Sequence, residues 1–461
     1  MNPSPEVAQG ETFSTRRLEP GPPNDIISED NAAQSFLEEY QGRLAYCDVE
    51  GTWLAWTGSQ WKRDGTGLAF EWMRQHVRNL TAERYPKSRQ RTNRTGFVGG
   101  VEKFSRCARG FATEITDWDA DPFLLGTPSG TVDLRSGEMY PSRAGDRMTW
   151  ITAAGPNDVA DCPIWNRFLL ESTGGDTELI HFLQQWCGYC LTGVTREHAL
   201  VFVYGGGGNG KSVFMNTVSG ILGEYAKTAA MDTFTASKGD KHPTELARLN
   251  GARLVTASET EQGKAWAEAK IKALTGGDKL AARFMRQDFF EYLPQFKLVV
   301  IGNHKPLLQN VDDAARRRFN IVPFILKPDS PDRQLEQKLQ SEWPAILRWM
   351  IDGCLDWQKN GLTRPTSVTE TTETYFSDQD LLGQWLGEAC LTKPDNSEFV
   401  GVLFKSWSEY SKDAGEAPGT KKAFSEALLS RDFKRSRATG GARMFVGLRL
   451  KDQGGLRASD E

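Results

Sequence analysis

Long hydrophobic runs are missing from this chain of 461 residues. No apolar stretch approaches the ~20 residues of a transmembrane helix, and the N-terminus has no apolar signal-peptide core. Cysteine is also scarce, with seven residues scattered along the chain. This spacing excludes a disulfide-rich secreted fold, and we expect free thiols in a cytoplasmic protein. Cys187 and Cys190 form one C-x-x-C pair, but no second pair or paired histidines accompany it, so a metal site is not predicted there.

A large excess of one charge is missing as well. The net charge is −4, and the composition is 39% hydrophobic and 25% charged, as in soluble globular proteins. The length predicts about three domains. Whether such a chain binds nucleic acid depends on local basic patches rather than on net charge.

A glycine-rich loop lies between an apolar strand at 200–204 and a helical pattern at 213–221. Its residues satisfy the phosphate-loop pattern in the expected strand–loop–helix context. Glycines let backbone N–H groups approach phosphate oxygens, Lys211 should reach the β- and γ-phosphates, and Ser212 should hold Mg²⁺. The loop therefore predicts binding of ATP and Mg²⁺. The predicted contact residues are Gly205, Gly206, Gly207, Gly208, Asn209, Gly210, Lys211, Ser212 and Val213.

A second strand, at 250–259, ends in an acidic residue. A carboxylate at the end of a neighbouring strand can activate water and bind the magnesium ion. We assign this role to Glu259, with Glu261 as support. Ser258 stands where the aspartate of the usual Asp-Glu pair would be, so metal coordination is either indirect or falls to Glu259. The alternative is a surface acid that follows a buried strand.

Two further motifs are typical of an ATPase. A buried strand at 296–303 ends in Asn303, which could position the attacking water or sense the γ-phosphate. Three consecutive arginines at 316–318 precede another strand. A guanidinium from a neighbouring subunit can stabilise the charge that develops on the γ-phosphoryl group, whereas the alternative is a solvated basic turn.

In this order the motifs resemble those of superfamily 3 helicases. They are the loop at 205–212, Ala-Ser-Glu-Thr-Glu at 257–261, Leu-Thr-Gly-Gly-Asp at 274–278, Gly-Asn-His-Lys-Pro at 302–306 and Arg-Arg-Arg-Phe-Asn-Ile-Val-Pro-Phe at 316–324. More narrowly, they resemble the helicase half of phage and plasmid primase-helicases and the poxvirus-type replicative ATPase. The resemblance implies an AAA+-like ring, usually hexameric, that moves 3′-to-5′ on single-stranded DNA.

The resemblance also assigns residue roles. Lys211 and Ser212 match the phosphate loop, Glu259 the second-motif acid, and Asn303 the sensor asparagine. The arginine finger falls on Arg317 or Arg318. The stretch 274–296 matches a hairpin that lines the ring channel. Family spacing places Arg286 and Gln287 at its tip and Arg283 near its base, where cations could contact DNA phosphates.

The remaining segments complete the expected architecture, an α/β fold whose P-loop ATPase core resembles AAA+ proteins. The expected segments are a disordered arm (1–32), an N-terminal α+β domain (33–160), a helical collar (161–195), the ATPase core (196–328), a helical connector (329–395), a winged-helix-like domain (396–451) and a disordered tail (452–461). The last domain has nine basic and two acidic residues between Lys421 and Lys451. Lys434, Arg435 and Arg437 are its predicted DNA contacts. Residues 443–450 alternate like an edge hairpin.

A second basic cluster lies in the N-terminal domain, at Arg84, Lys87, Arg89, Arg91 and Arg94. Such a cluster can contact phosphates, but a solvated protein face is the commoner explanation. Sequence alone leaves the two alternatives open.

These features predict a replicative DNA helicase of phage, plasmid or mobile-element type. The resemblance implies a homo-hexamer that translocates on single-stranded DNA and unwinds forked duplex DNA, with a separate primase or replisome protein as a further partner. About 160 residues precede the helicase region without a paired-carboxylate primase signature, so we expect no primer synthesis by this chain. The alternative is an origin-binding initiator that ATP switches between states, with slow hydrolysis and no processive unwinding.

Overall fold

The computed structural model describes residues 26–236, 244–258, 265–283, 288–308, 313–328, 330–438 and 441–451. The chain divides into two compact units. The first ends at residue 151, apart from two short segments, 122–127 and 132–138, that belong to the second. Within the described ranges, no helix combines the length and the apolar character needed to cross a bilayer.

The first unit packs helices against a small mixed sheet with strand order β3-β2-β1-β4. The alternating residues from Trp53 to Trp61 around the Gly58-Ser59 turn predict a small hairpin, and β2 and β3 pair antiparallel as expected, with Trp56 opposite Trp61. Phe36, Met73 and Phe111 lie in the core of this unit. Its elements are α1 (Glu29–Tyr40), β1 (Leu44–Cys47), β2 (Thr52–Trp56), β3 (Trp61–Arg63), α2 (Leu68–Glu83), α3 (Arg89–Thr92), α4 (Thr95–Cys107) and β4 (Ala112–Thr113).

The predicted disordered arm, 1–32, is wrong at its C-terminal end. Residues 1–25 lie outside the described residues, but Ile27 is only 2% exposed and α1 already begins at Glu29. Ser28 caps this helix by accepting a hydrogen bond from the Asn31 N–H. A polar cap and two acidic residues in a first turn resemble a polar arm in composition, although they favour a helix start.

Three short strands follow where the chain passes between the two units. They are β5 (Leu124–Thr127), β6 (Gly130–Asp133) and β7 (Glu138–Tyr140).

The second unit is built on a five-stranded sheet with order β14-β8-β13-β10-β9, in which every neighbouring pair is parallel. Apolar runs buried on both faces are typical of such strands. The elements up to the end of the sheet are α5 (Pro163–Thr173), α6 (Thr177–Leu191), β8 (Leu200–Tyr204), α7 (Lys211–Leu222), β9 (Ala226–Thr228), α8 (Thr244–Ala247), β10 (Leu254–Ser258), α9 (Glu268–Gly276), β11 (Leu280–Ala282), β12 (Phe290–Tyr292), β13 (Lys297–Gly302), α10 (Asp313–Arg318) and β14 (Phe319–Pro323).

Helices and a small three-stranded sheet complete this unit. They are α11 (Leu335–Ser341), α12 (Trp343–Asn360), α13 (Thr366–Gln379), α14 (Leu381–Ala389), β15 (Cys390–Leu391), β16 (Ser397–Phe399), α15 (Val400–Asp413), α16 (Lys421–Leu429), β17 (Lys434–Arg437), β18 (Arg443–Val446) and β19 (Arg449–Leu450).

The predicted edge hairpin at 443–450 is wrong. β18 is the central strand between β16 and β17, and β19 pairs with β15 instead. Gly447 separates β18 from β19 with φ +91°, a conformation that glycine adopts readily. Alternation predicts strands but not their partners.

Helices α6 and α12 cross at two glycines. A Cβ added to Gly188 would lie 2.1 Å from the backbone nitrogen of Cys354, and one added to Gly353 would lie 2.2 Å from the Gln184 carbonyl oxygen. The two backbones therefore touch without intervening side chains. The loop after α6 leads directly into β8, so this crossing fixes the helix that precedes the strand before the glycine-rich loop.

The C-terminal end of α6 is held by two buried cations. Arg253 donates to the carbonyls of Leu191 and Leu124, at 2.6 Å for the latter. Lys297 donates to the carbonyl of Thr192 and lies 4.7 Å from the centre of the Tyr189 ring. Cations stabilise the carbonyl end of a helix, and burial lowers the pKa of Lys297 to about 7.

Replacing Gly188 with alanine tests the helix crossing. We expect Gly188→Ala to destabilise the chain by about 3 kcal/mol or more, because the new methyl group meets rigid backbone atoms. Gly387→Ala in α14 is the matched control, since nothing lies within 4 Å of its Cβ position. That variant should keep or raise stability by up to ~1 kcal/mol. Thermal unfolding measures both, and equal midpoints would contradict the proposed contact.

Candidate functional site

The parallel sheet brings the ends of four strands to one edge. Tyr204 at the end of β8 pairs with Gly302 and Pro323, and Ser258 at the end of β10 pairs with Ile301. The loop at 205–210 therefore lies at the edge where β10, β13 and β14 also end. Ligands of parallel α/β sheets bind at this carboxyl edge.

The loop backbone requires glycine at several positions. Gly207, Gly208 and Gly210 have φ values of +86°, +69° and +84°, which side-chain-bearing residues rarely adopt. A Cβ on Gly205 would lie 1.8 Å from the Phe324 carbonyl oxygen. Between β8 and α7 the backbone thus follows a tight path that leaves no room for side chains at Gly205. Exposed N–H groups in such a loop are suited to phosphate oxygens.

Asn209 and Lys211 tie the loop to the end of β14. Asn209 is 2% exposed, and its side-chain NH₂ donates to the Phe324 carbonyl. The Asn209 side-chain oxygen accepts a 2.8 Å hydrogen bond from Lys211 Nζ, which also donates to the Gly205 carbonyl at 2.6 Å. Lys211 is 5% exposed, and burial lowers its pKa. The ammonium group of Lys211 is therefore fixed inside the loop, where it is largely shielded from water.

Helix α7 is anchored so that its first turn faces the loop. Phe214 stacks on Trp165 of α5 at 5.5 Å between ring centres, and the Gly210 Cβ position lies 2.8 Å from the Phe168 ring. The Ser212 side chain is exposed at this first turn. The helix N-terminus, the loop N–H groups, Lys211 and Ser212 are groups of the kind that can hold a polyphosphate and a metal ion.

The structure describes only some of the predicted catalytic residues. Glu259 and Glu261 lie outside the described residues, although Ser258 ends β10 one residue before Glu259. Asn303 is exposed and directly follows β13, whose Gly302 carbonyl accepts the Gly205 N–H at 3.3 Å. Asn303 and the loop thus lie at the same edge. Sequence analysis missed Lys305, which is half-buried with its Nζ 4.8 Å from the centre of the Tyr204 ring.

The three arginines of α10 have different environments. Arg316 lies 5.1 Å from the centre of the Phe376 ring. Arg318 is half-buried; it donates to the Ala314 carbonyl at 3.0 Å, and its buried Nε has no partner among the described residues. Arg317 is exposed, and its Nε donates to the Asp313 carbonyl at 3.3 Å. Among the residues that the structure describes, Arg364 donates to the Arg317 backbone carbonyl, and no contact from outside the helix holds the Arg317 side chain.

The predicted hairpin is present in part. β11 and β12 pair antiparallel, with Leu280 opposite Tyr292. Arg283 follows β11 and lies 4.9 Å from the centre of the exposed Phe289 ring. Arg286 and Gln287, the predicted tip residues, lie outside the described residues.

The last basic segment forms an exposed strand. All four residues of β17 are exposed, including Lys434, Arg435 and Arg437. The strand lies at the edge of a sheet with order β16-β18-β17, behind which Trp385, Phe424 and Phe445 form a core with α14, α15 and α16. The order of elements is helix, strand, two helices and a hairpin, in addition to the short β15 and β19.

Comparison with known proteins gives matches to two protein families. The family described as "D5 N terminal like" matches residues 33–174, and a family of unknown function, DUF5906, matches residues 203–318. The second match contains the loop, Asn303 and the arginines of α10.

Relatives occur in large DNA viruses. "Putative helicase L207/L206" of Acanthamoeba polyphaga mimivirus is 23% identical over 68% of this chain and 34% of its own length. "Putative helicase 184R" of Invertebrate iridescent virus 6 is 31% identical over 60% of this chain and 32% of its length. "Putative primase C962R" of African swine fever virus (isolate Warthog) is 25% identical over 65% of this chain and 34% of its own length. The chain spans about a third of the length of these curated relatives.

A solved structure has a similar fold. The apo C-terminal region of NrS-1 is 10% identical, with a TM-score of 0.51, and the match covers 91% of this chain and 100% of that one. At this identity the likeness concerns the fold alone. The D5-type match and the relatives named putative helicase and putative primase support a relationship of this chain to phage and viral primase-helicases.

Proposed function

We propose that the chain is the motor of a replicative DNA helicase of the superfamily 3 type, driven by ATP. The observation that carries the proposal is the loop at 205–212, which meets the ends of β10, β13 and β14 at one sheet edge with Lys211 fixed inside it. The names of the viral relatives support action on nucleic acid. A homo-hexameric ring that moves 3′-to-5′ on single-stranded DNA is part of the proposal.

Each loop group has a role in ATP binding and hydrolysis. Loop N–H groups and Lys211 would hold the β- and γ-phosphates, and Ser212 with Glu259 would hold Mg²⁺, which supplies charge neutralisation when bound. Glu259 would accept the proton of the attacking water, and Asn303 would orient that water. Because Lys211 already lies in the loop, phosphate oxygens would replace the Gly205 carbonyl as its partner without a large movement of the side chain.

We assign the arginine finger to Arg317 rather than Arg318. A residue that acts on a neighbouring subunit must reach beyond its own surface, and Arg317 is exposed with a single weak side-chain contact to its own helix. Arg318 is half-buried, and its guanidinium donates a 3.0 Å hydrogen bond to the Ala314 carbonyl. Its role would be to position α10, since its guanidinium is turned back onto its own helix.

DNA contacts would come from two places. The order of elements around β17 supports a winged-helix-like domain whose exposed cations grip duplex backbone. The hairpin of β11 and β12, with Arg283, Arg286 and Gln287, would contact the strand in the ring channel. A separate primase or other replisome protein would act beside this motor.

Lys211→Ala should abolish ATP hydrolysis and unwinding of a forked duplex, because the phosphates lose their main cationic partner. Exposed Lys359→Ala, at the end of α12, is a matched control and should behave like wild type. Glu259→Gln should bind ATP but not hydrolyse it. ATPase and strand-displacement assays measure these effects. If wild-type protein hydrolyses ATP slowly and never separates strands, the chain is an ATP-switched initiator instead.

Arg317→Ala should bind nucleotide normally and lose a factor of ~10³ or more in hydrolysis, as expected of an arginine finger. Mixing it with Lys211→Ala protein should restore part of the activity, since a mixed boundary pairs an intact pocket with an intact finger. Arg318→Ala should instead lower the midpoint of thermal unfolding. Restoration by Arg318→Ala mixtures, but not by Arg317→Ala mixtures, would reverse the assignment.

Changing Lys434, Arg435 and Arg437 together to glutamine should weaken duplex binding and flatten its salt dependence. The slope of log affinity against log salt should fall by ~2.7 per engaged subunit, from ~0.9 per lost phosphate contact. The same change at exposed Lys393, Lys405 and Lys412 alters net charge equally and should leave the slope near that of wild type. Equal slopes for the two triple variants would show that β17 does not grip DNA.

A further inference from the structure

The basic cluster of the first unit has a structure of its own. The segment from the end of α2 to the start of α4 contains no Asp or Glu between residues 84 and 101. It exposes Arg84, Lys87, Arg89 and Arg94. These four residues together are called the collar patch, which is distinct from the helical collar predicted at 161–195. None of these four forms an ion pair with any residue that the structure describes.

Several arginines elsewhere in the unit have carboxylate partners, which the four residues of the collar patch lack among the described residues. Four arginines of the unit pair with carboxylates: Arg63 with Glu50, Arg74 with Glu71, Arg106 with Glu102 and Arg147 with Asp117. Arg91, inside the same segment, makes two 3.0 Å hydrogen bonds to Glu29 and lies over the Phe97 ring. A merely solvated face would carry both signs of charge, as the rest of this unit does.

Buried hydroxyl groups hold the segment in a fixed conformation. Ser88 and Thr92 are 2% and 1% exposed. Ser88 Oγ accepts the Ile27 N–H at 3.1 Å, Thr92 donates to the Ser88 carbonyl at 3.2 Å, and the Thr81 and Thr92 hydroxyls lie 3.1 Å apart. The inner side of the segment is therefore anchored to α2 and to Ile27, two residues before α1. The cations on the outer side are presented by folded backbone rather than by a free loop.

The ligand that suits this surface is a polyanion without a requirement for base stacking. Sites for single-stranded nucleic acid combine cations with exposed aromatic rings. Here Phe97 is 4% exposed beneath Arg91, and Tyr85 is half-buried against the cluster of Val77 and Leu80. Four exposed cations beside a buried Phe97 and a half-buried Tyr85 match the sequence-independent backbone of duplex DNA.

We propose that the collar patch binds the phosphate backbone of duplex DNA, as a second grip separate from the ATPase loop and from β17. This inference rests on the proposal that the chain acts on DNA. It extends that proposal by giving the D5-type unit a nucleic-acid-binding role of its own.

Salt titrations of full-length protein on a labelled blunt duplex test the collar patch. Arg89→Gln should lower the salt slope by ~0.9 per engaged subunit, and the triple change of Lys87, Arg89 and Arg94 to glutamine should lower it by ~2.7. Arg91→Gln is the matched control: it lies two residues from Arg89, removes the same charge and is already paired with Glu29. Its slope should equal that of wild type. The charge-keeping pair Arg89→Lys and Arg94→Lys should also keep the wild-type slope.

Each outcome decides between the alternatives. The inference is overturned if the triple variant keeps the wild-type slope, if Arg91→Gln lowers the slope as much as Arg89→Gln, or if only single-strand binding is lost. Equal thermal midpoints for all variants show that the changes act on binding rather than folding. If wild type binds neither duplex nor single-stranded DNA, the proposed function fails too. If wild type unwinds forked DNA and the triple variant keeps full duplex affinity, only the collar patch fails.

Discussion

Parallel pairing within the central sheet is the constraint on which the candidate site depends. Because β8 lies between β13 and β14 with every strand running the same way, their carboxyl ends must share an edge. The loop after β8, Asn303 after β13 and the Phe324 carbonyl after β14 are brought together by that geometry alone. Asn209 then joins the loop to β14 through a buried hydrogen bond. Loss of one strand would therefore disturb the loop as well as the core.

Much of this arrangement could be predicted from the sequence because the signals are local. Apolar runs at 200–204 and 296–303 predict buried strands, and glycines at positions of positive φ, such as Gly207 and Gly210, predict the loop between a strand and a helix. The hairpin around Trp53 and Trp61 could likewise be predicted, from the alternation of apolar and polar residues and from the turn between the strands. In each case residues that are adjacent in sequence determine the conformation, so the order of residue types along the chain is enough to predict the element.

Long-range contacts could not be predicted in this way. Nothing in the sequence around Gly188 and Gly353 indicates why glycine is needed there. The crossing of α6 and α12 explains it, because a Cβ at either position would meet the facing backbone. Lys297 and Arg253 read as ordinary strand-end cations, yet both are buried against the carbonyl end of α6. The partners of β18 and the different environments of Arg317 and Arg318 belong to the same class. A pattern along the chain gives the element but not what it packs against.

The proposed DNA surfaces cluster cations that have no carboxylate partner among the described residues, in a chain whose net charge is −4. An exposed ion pair contributes only about 0–1 kcal/mol, so pairing does little for stability. Clustered like charges, however, repel one another in the folded state, and folding alone offers nothing to offset that repulsion. A polyanion does offset it, because its condensed counterions are released when cations replace them. On this physical ground the unpaired cations of the collar patch and of β17 favour a nucleic-acid partner, whereas Arg91, paired with Glu29, does not.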